Sequence, residues 1–292
     1  MRAKRKRPNR SVLELLRLSV IAIIQHPLIV YPFCVWAFVQ LLTLEILYFA
    51  PRFPLSGIFA PLIEKLYANT FLHYPYNFIL LPKLFHYVKL VLDLFLEGLL
   101  ISTTMVIISH INNEKRIDFS GAIKKARLQY VHILVGTMII DLAIFLTGSA
   151  FDLVQYRTLK IHSQKGIFFW LKELILGGGP YFNFIITIFI KAMFVYLFVL
   201  IVLENKKVLS ALGNNFRLLR DSFPFMLGIV TLPMLFYLPV LFLRNNVTVI
   251  VSDAFPSLRA WVIILSILIL AVIDAVIYTA VTSYYLYWQE EK

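Results

Sequence analysis

Apolar residues run together in six stretches long enough to cross the roughly 30 Å hydrocarbon core of a bilayer, which takes about 20 helical residues. They lie near 27–50, 86–111, 131–151, 181–203, 223–243 and 260–288. Pro27, Pro32, Pro224, Pro233 and Pro239 fall inside or beside them. Neighbouring helices in a membrane satisfy the carbonyls that a proline frees, so these positions predict kinks rather than breaks. The pattern predicts an all-α polytopic membrane protein with six transmembrane helices.

Charged residues interrupt this pattern where hydrocarbon should reject them. In the second stretch Lys89, Asp93 and Glu97 stand at i, i+4 and i+8, along one face of a helix. The third carries Asp141, the fourth Lys191 and the sixth Asp274, while Glu45 lies near the outer end of the first. At about 1.5 Å of rise per residue, Glu97, Asp141, Lys191 and Asp274 each sit roughly 15–20 Å from a span end. Facing lipid, each would cost about 2.5–3.5 kcal/mol even on the lenient insertion scale, so they are expected to face inward.

Two roles are open to Asp93, Glu97, Asp141, Lys191 and Asp274. In one, Lys191 pairs with Glu97 or Asp274 and the remaining acids are neutral or hydrogen-bonded, holding the bundle in register. In the other, the same groups line a polar cavity that binds an ion, a proton or a lipid headgroup.

Between the spans lies a second pattern. Ser11 to Leu18, Ser120 to Leu128 and Ser210 to Leu218 each begin with Ser and end in Arg-Leu, and each precedes an odd-numbered span. Their mixture of Lys, Arg or Asn with Leu, Ile and Ala at helical spacing suits an amphipathic helix in the membrane interface, with the Ser as its cap. On the other side, Gly57-Ile-Phe and Gly166-Ile-Phe open two further short amphipathic segments, and the loop from Asn245 to Leu258 lacks them. The unit of interfacial helix, span, loop helix and span predicts a three-fold repeat over 11–111, 118–204 and 208–289.

Composition agrees with the membrane assignment: the 292 residues are 60% hydrophobic, and their mean hydropathy is +0.80. Six crossings place 17 Lys and Arg on the side of the termini and 9 on the other, with Lys89 and Lys191 inside spans. The positive-inside rule then puts both termini in the cytoplasm. The opening MRAKRKRPNR, with no small-residue cleavage pattern after it, is expected to be retained and to meet anionic lipid headgroups. The net charge of +12 is spread over both faces, which argues against nucleic-acid binding.

Catalytic motifs of the HExxH, GxSxG and GxxxxGK[ST] types are absent, and Gly177-Gly-Gly-Pro180 reads as the stop of a loop helix. The six His are scattered without metal-ligand spacing, so neither a metal nor a cofactor is expected. Cys34 stands alone inside a span and is expected to be core filler, and Asn246-Val-Thr248 fits a glycosylation sequon. Tyr284, Tyr285, Tyr287 and Trp288 are expected to form an aromatic belt.

The stretch Val202-Leu-Glu-Asn-Lys-Lys-Val-Leu-Ser-Ala-Leu212, continuing to Phe216-Arg-Leu-Leu219 and Phe223, resembles a family of prokaryotic six-span proteins. These are the membrane domains attached to some glycerophosphodiester phosphodiesterases, together with their domain-of-unknown-function relatives. Ala211, Leu212, Leu218 and Phe223 match the family's interfacial-helix pattern, and Asn215 stands where that pattern has Ser. The resemblance implies a bacterial or archaeal cell membrane and carries no substrate.

The expected function is therefore a non-enzymatic scaffold or lipid-handling module of the cytoplasmic membrane, partnered by membrane lipids and by a membrane or cytoplasmic protein. The alternative is a small transporter whose pathway passes the five intramembrane charges.

Overall fold

The computed structural model describes residues 11–114, 118–160, 167–250 and 257–290. Among these the chain is helical and contains no strand. Six helical stretches, 31–49, 76–112, 130–159, 179–202, 208–235 and 258–289, are long and apolar enough to cross a membrane. The protein is a multi-pass helical membrane protein.

The first stretch holds α1 (Val12–Gln25), the spanning α2 (Tyr31–Phe49) and α3 (Ser56–Leu66). Its second span is built from α4 (Tyr76–Leu92), a π turn over Asp93–Glu97 and α5 (Gly98–Asn112). Then come α6 (Phe119–Leu128), the spanning α7 (Tyr130–Leu159) and α8 (Ile167–Gly177). The fourth span is interrupted between α9 (Gly179–Met193) and α10 (Leu197–Val202). The last elements are α11 (Val208–Leu235), α12 (Leu238–Ile250) and α13 (Leu258–Glu290). The face of the bundle where α6 lies is here the terminal face, and the face bearing α3 and α8 the distal face.

The halves of the bundle differ. Toward the terminal face, α5 is buried continuously from Leu100 to Ile108 and α10 from Leu197 to Val202, both in the main core with α11 and α13. Small residues allow this close packing. A Cβ on Gly98 would fall 2.3 Å from the Thr137 hydroxyl and 2.9 Å from an Ile133 methyl, so α5 and α7 touch nearly backbone to side chain there. Toward the distal face a smaller cluster joins α2, α4 and α13 through Leu44, Leu47, Phe78, Leu81, Ile263 and Ile267.

Several sequence expectations are corrected by the packing. Residues from Ser210 do not form a separate interfacial helix: α11 runs unbroken from Val208 to Leu235. Val208, Ala211, Asn215, Leu219 and Ser222 form one buried stripe that continues directly into the membrane-spanning part, so nothing separates the two. The fifth span accordingly ends at Leu235 rather than 243, and α12 begins after Phe236 and Tyr237. Ser11 does cap α1, accepting from the Glu14 N–H, but Asp118 caps α6 in place of Ser120, and Ser210 lies inside α11. The helix α1 is a separate amphipathic helix before the first span, as expected: it buries Leu15 and Ser19 and sets Val12 opposite Gly228 of α11, while Leu13 and Ile24 stay exposed. Cys34 is exposed on α2 instead of filling the core. The basic N-terminal segment, Gly166 and the side chain of Thr248 lie outside the described residues.

Tyr284 and Tyr285 are buried rather than arrayed as a surface belt, because the Tyr285 hydroxyl turns inward to Glu204. Gln289 donates to the same Glu204 oxygen at 3.0 Å, and Lys206 forms an ion pair with the other. This cluster ties the end of α10 to the end of α13. Partial burial acts to raise the pKa of Glu204, but the hydrogen bonds from Lys206, Tyr285 and Gln289 outweigh it and hold the carboxyl below its ordinary value. A carboxyl depressed on folding stabilises the native state above its unfolded pKa of about 4.3, and that contribution is lost as pH falls through the folded value. The thermal midpoint of Glu204→Gln is therefore expected to lie below that of wild type from about pH 7 to about pH 5, with the gap closing below about pH 4. A gap that widens on acidification would contradict this role.

Candidate functional site

The span containing Lys89, Asp93 and Glu97 is where the helix departs from regular geometry. The π turn over Asp93–Glu97 holds more residues per turn than an α-helix. In a regular helix each four-residue step advances the face, so Glu97 would have drifted from Lys89; the wider turn rotates it back. All three side chains consequently border one cavity of about 730 Å3. π turns inside helices are frequent at functional sites.

The cavity is bounded on its terminal side by the Gly98–Thr137 crossing and by Ile101 and Phe198, and it extends to Gln155, Leu176, Gly179 and Arg244 at the distal helix ends. Of the five residues singled out by the sequence, Asp93, Glu97, Asp141 and Lys191 line it. Asp274 stands behind Lys191, whose ammonium donates to it at 3.0 Å. Lys89 pairs with Asp93 at 2.5 Å and lies over the Trp36 ring, 6.0 Å from its centroid. The structure thus brings the whole set together. Lys191 chooses Asp274, not Glu97.

Two acids remain. Among the described residues, Glu97 and Asp141 make no hydrogen bond or ion pair, although both border the cavity. Asp93 is nine-tenths buried, and its Oδ1 has no hydrogen-bond partner among the described residues; nor has the Nδ2 of Asn245, farther out in the same cavity. Depths follow from the crossing of α5 and α7: Glu97 adjoins Gly98, and Asp141 lies one turn beyond Thr137, so the two carboxyls are within about 6 Å of each other in level.

The interruption of the fourth span sits beside this layer. Asn215, fully buried on α11, holds it open: its Oδ1 accepts from the Tyr196 N–H at 3.1 Å and its Nδ2 donates to the Met193 carbonyl at 2.7 Å. Phe194 and Val195, in the break itself, line the cavity. A helix ending inside a membrane presents the negative end of its dipole, here that of α9.

His86, Gln155, Asn183, Thr187, Arg244 and Tyr278 also line the cavity, and the sequence reading passed over them. The signal was present. Asn183, Thr187 and Lys191 repeat the i, i+4, i+8 spacing of Lys89, Asp93 and Glu97, and Tyr278 follows Asp274 by four. Each helix contributes a polar stripe rather than a single charge.

The cavity opens toward the distal helix ends, and its charged and polar lining suits water or a ligand better than an empty apolar void. Among the described residues no group of three or more His, Cys, Asp or Glu is arranged to hold a metal ion. No family model matches the chain, and no curated protein or solved structure matches it either.

Proposed function

We propose that the protein is a small transporter or permease, non-enzymatic, whose ligand occupies the intramembrane cavity. The observation that carries this reading is the 730 Å3 chamber, closed toward the terminal face, with two lysine–carboxylate pairs and two further acids at its deep end. A set of charges serving only to hold helices together would be satisfied and dry. Here Glu97 and Asp141 border open space.

Handling of a lipid is the second reading. It is favoured by α8, which has no buried residue and exposes Ile167, Phe168, Trp170 and Leu174 next to the cavity mouth, where Gln155 donates to the α8 carbonyls of Ile175 and Leu176. A scaffold without a ligand explains neither feature. The excess of Lys and Arg near the termini supports a cytoplasmic terminal face and a cavity that opens outward. The resemblance around Glu204 to Phe223 supports a prokaryotic cell membrane.

The test is thiol accessibility. With Cys34 replaced by Ser, the chain has no other cysteine. A single Cys at Thr187 is expected to react with a membrane-impermeant maleimide added outside, whereas one at Met105, which is fully buried in the terminal half, is expected to stay unlabelled. Protection of both positions from either side would overturn the transport reading. Labelling of Thr187→Cys from the cytoplasmic side alone would keep the cavity and reverse the orientation.

A further inference from the structure

The cavity's charges and its walls together specify what it takes. We infer that the ligand is an amphiphilic organic cation, an ammonium or phosphonium compound, whose charged centre sits at the level of Glu97 and Asp141 with its apolar groups against the aromatic side chains of the wall. This rests on the cavity being a ligand chamber.

Charge matching comes first. Lys89 and Lys191 each have their own carboxylate, Asp93 and Asp274, at hydrogen-bonding distance. Glu97 and Asp141 have none among the described residues, so the deep end is left with an excess of acidic groups over cations. Arg244, the remaining cation of the wall, is exposed near the distal ends of the helices, where water screens it. The buried Oδ1 of Asp93, without a hydrogen-bond partner among the described residues, adds a further acceptor at the same depth. The C-terminal end of α9, aimed at the break beside Phe194 and Val195, contributes the negative end of a helix dipole.

The walls select among cations. Phe184, Phe194, Phe198, Tyr237 and Tyr278 line the chamber, with the Phe184 and Tyr237 rings stacked 6.1 Å apart. Aromatic faces attract cations and bury apolar surface in the same contact. An inorganic ion would need a tight shell of oxygens, and 730 Å3 is the size of a drug-like ligand site. An anion or an acidic headgroup would meet Glu97 and Asp141 unpaired. A neutral sugar would hydrogen-bond to the acids but bring no positive charge to match their excess over the cations.

Tetraphenylphosphonium and tetraphenylborate have the same shape and opposite charge, which makes them the probes. Purified full-length protein in mild detergent is expected to bind tetraphenylphosphonium saturably, one per chain, in equilibrium dialysis, and to bind tetraphenylborate at least tenfold more weakly. Glu97→Gln and Asp141→Asn, which keep side-chain shape, are each expected to weaken the phosphonium at least tenfold, whereas Glu45→Gln, exposed on α2, is expected to leave it unchanged. Preference for the borate, or equal binding of both ions, overturns the cation assignment while leaving the chamber intact. Binding of neither ion, with Thr187→Cys still labelled from outside, does the same. Binding of neither ion together with a protected Thr187→Cys brings down the cavity reading as well. The wild-type comparison alone decides the charge preference should the variants fail to fold.

Discussion

Lys191→Leu is expected to lose about 3–5 kcal/mol of stability, and the double variant Lys191→Leu with Asp274→Leu is expected to recover most of it. The asymmetry follows from where the pair lies. Lys191 is about 17 Å from either end of its span, and its side chain and that of Asp274 are only 18% and 14% exposed. Removing the ammonium leaves a carboxylate in a low-dielectric site with no ammonium to offset its desolvation, whereas removing both leaves only an apolar contact. Glu97 provides the control. Because it does not bond Lys191, Lys191→Leu with Glu97→Leu is expected to remain as unstable as the single variant. Thermal or denaturant unfolding followed by size-exclusion recovery measures all four chains. A single variant as stable as wild type, or rescue by Glu97→Leu in place of Asp274→Leu, would refute the assigned pairing.

The second large effect is expected at Asn215. Asn215→Leu removes the acceptor for the Tyr196 N–H and the donor to the Met193 carbonyl, both in the interior. Each backbone group left unsatisfied costs about 1–3 kcal/mol, so a loss of about 2–6 kcal/mol is expected, with faster amide exchange at Tyr196. The competing outcome is a straightened span in which the Tyr196 N–H finds the Ala192 carbonyl and stays protected. Retained protection would show that Asn215 follows the break instead of holding it.

Apolar run length made the six spans legible, because hydrocarbon thickness fixes how long such a run must be. Lys89, Asp93, Glu97, Asp141, Lys191 and Asp274 stood out for the same reason: a charge inside such a run has to be accounted for. Which acid Lys191 would choose was not legible, since that depends on how α9 and α13 rotate against each other, and spacing along one chain carries no information on it. Asn183, Thr187 and Gln155 escaped because amides and hydroxyls interrupt an apolar run less sharply than charges do. The break at Phe194 to Tyr196 contains neither Gly nor Pro; its cause, Asn215, is on another helix. The extent of α11 was missed because its polar residues suggested a surface segment, whereas the stripe from Val208 through Ser222 is buried.

The π turn at Asp93–Glu97 also bears on how such a chain changes over generations. One residue taken out of that turn would leave an ordinary helix, with everything before it rotated by about 100° against everything after. Lys89 and His86 would leave the chamber while the tightly packed half from Leu100 to Ile108 stayed as it is. The turn is a joint between two parts of one span: a tightly packed seal from Leu100 to Ile108, and a chamber wall whose chemistry a single insertion or deletion can re-aim without disturbing that seal.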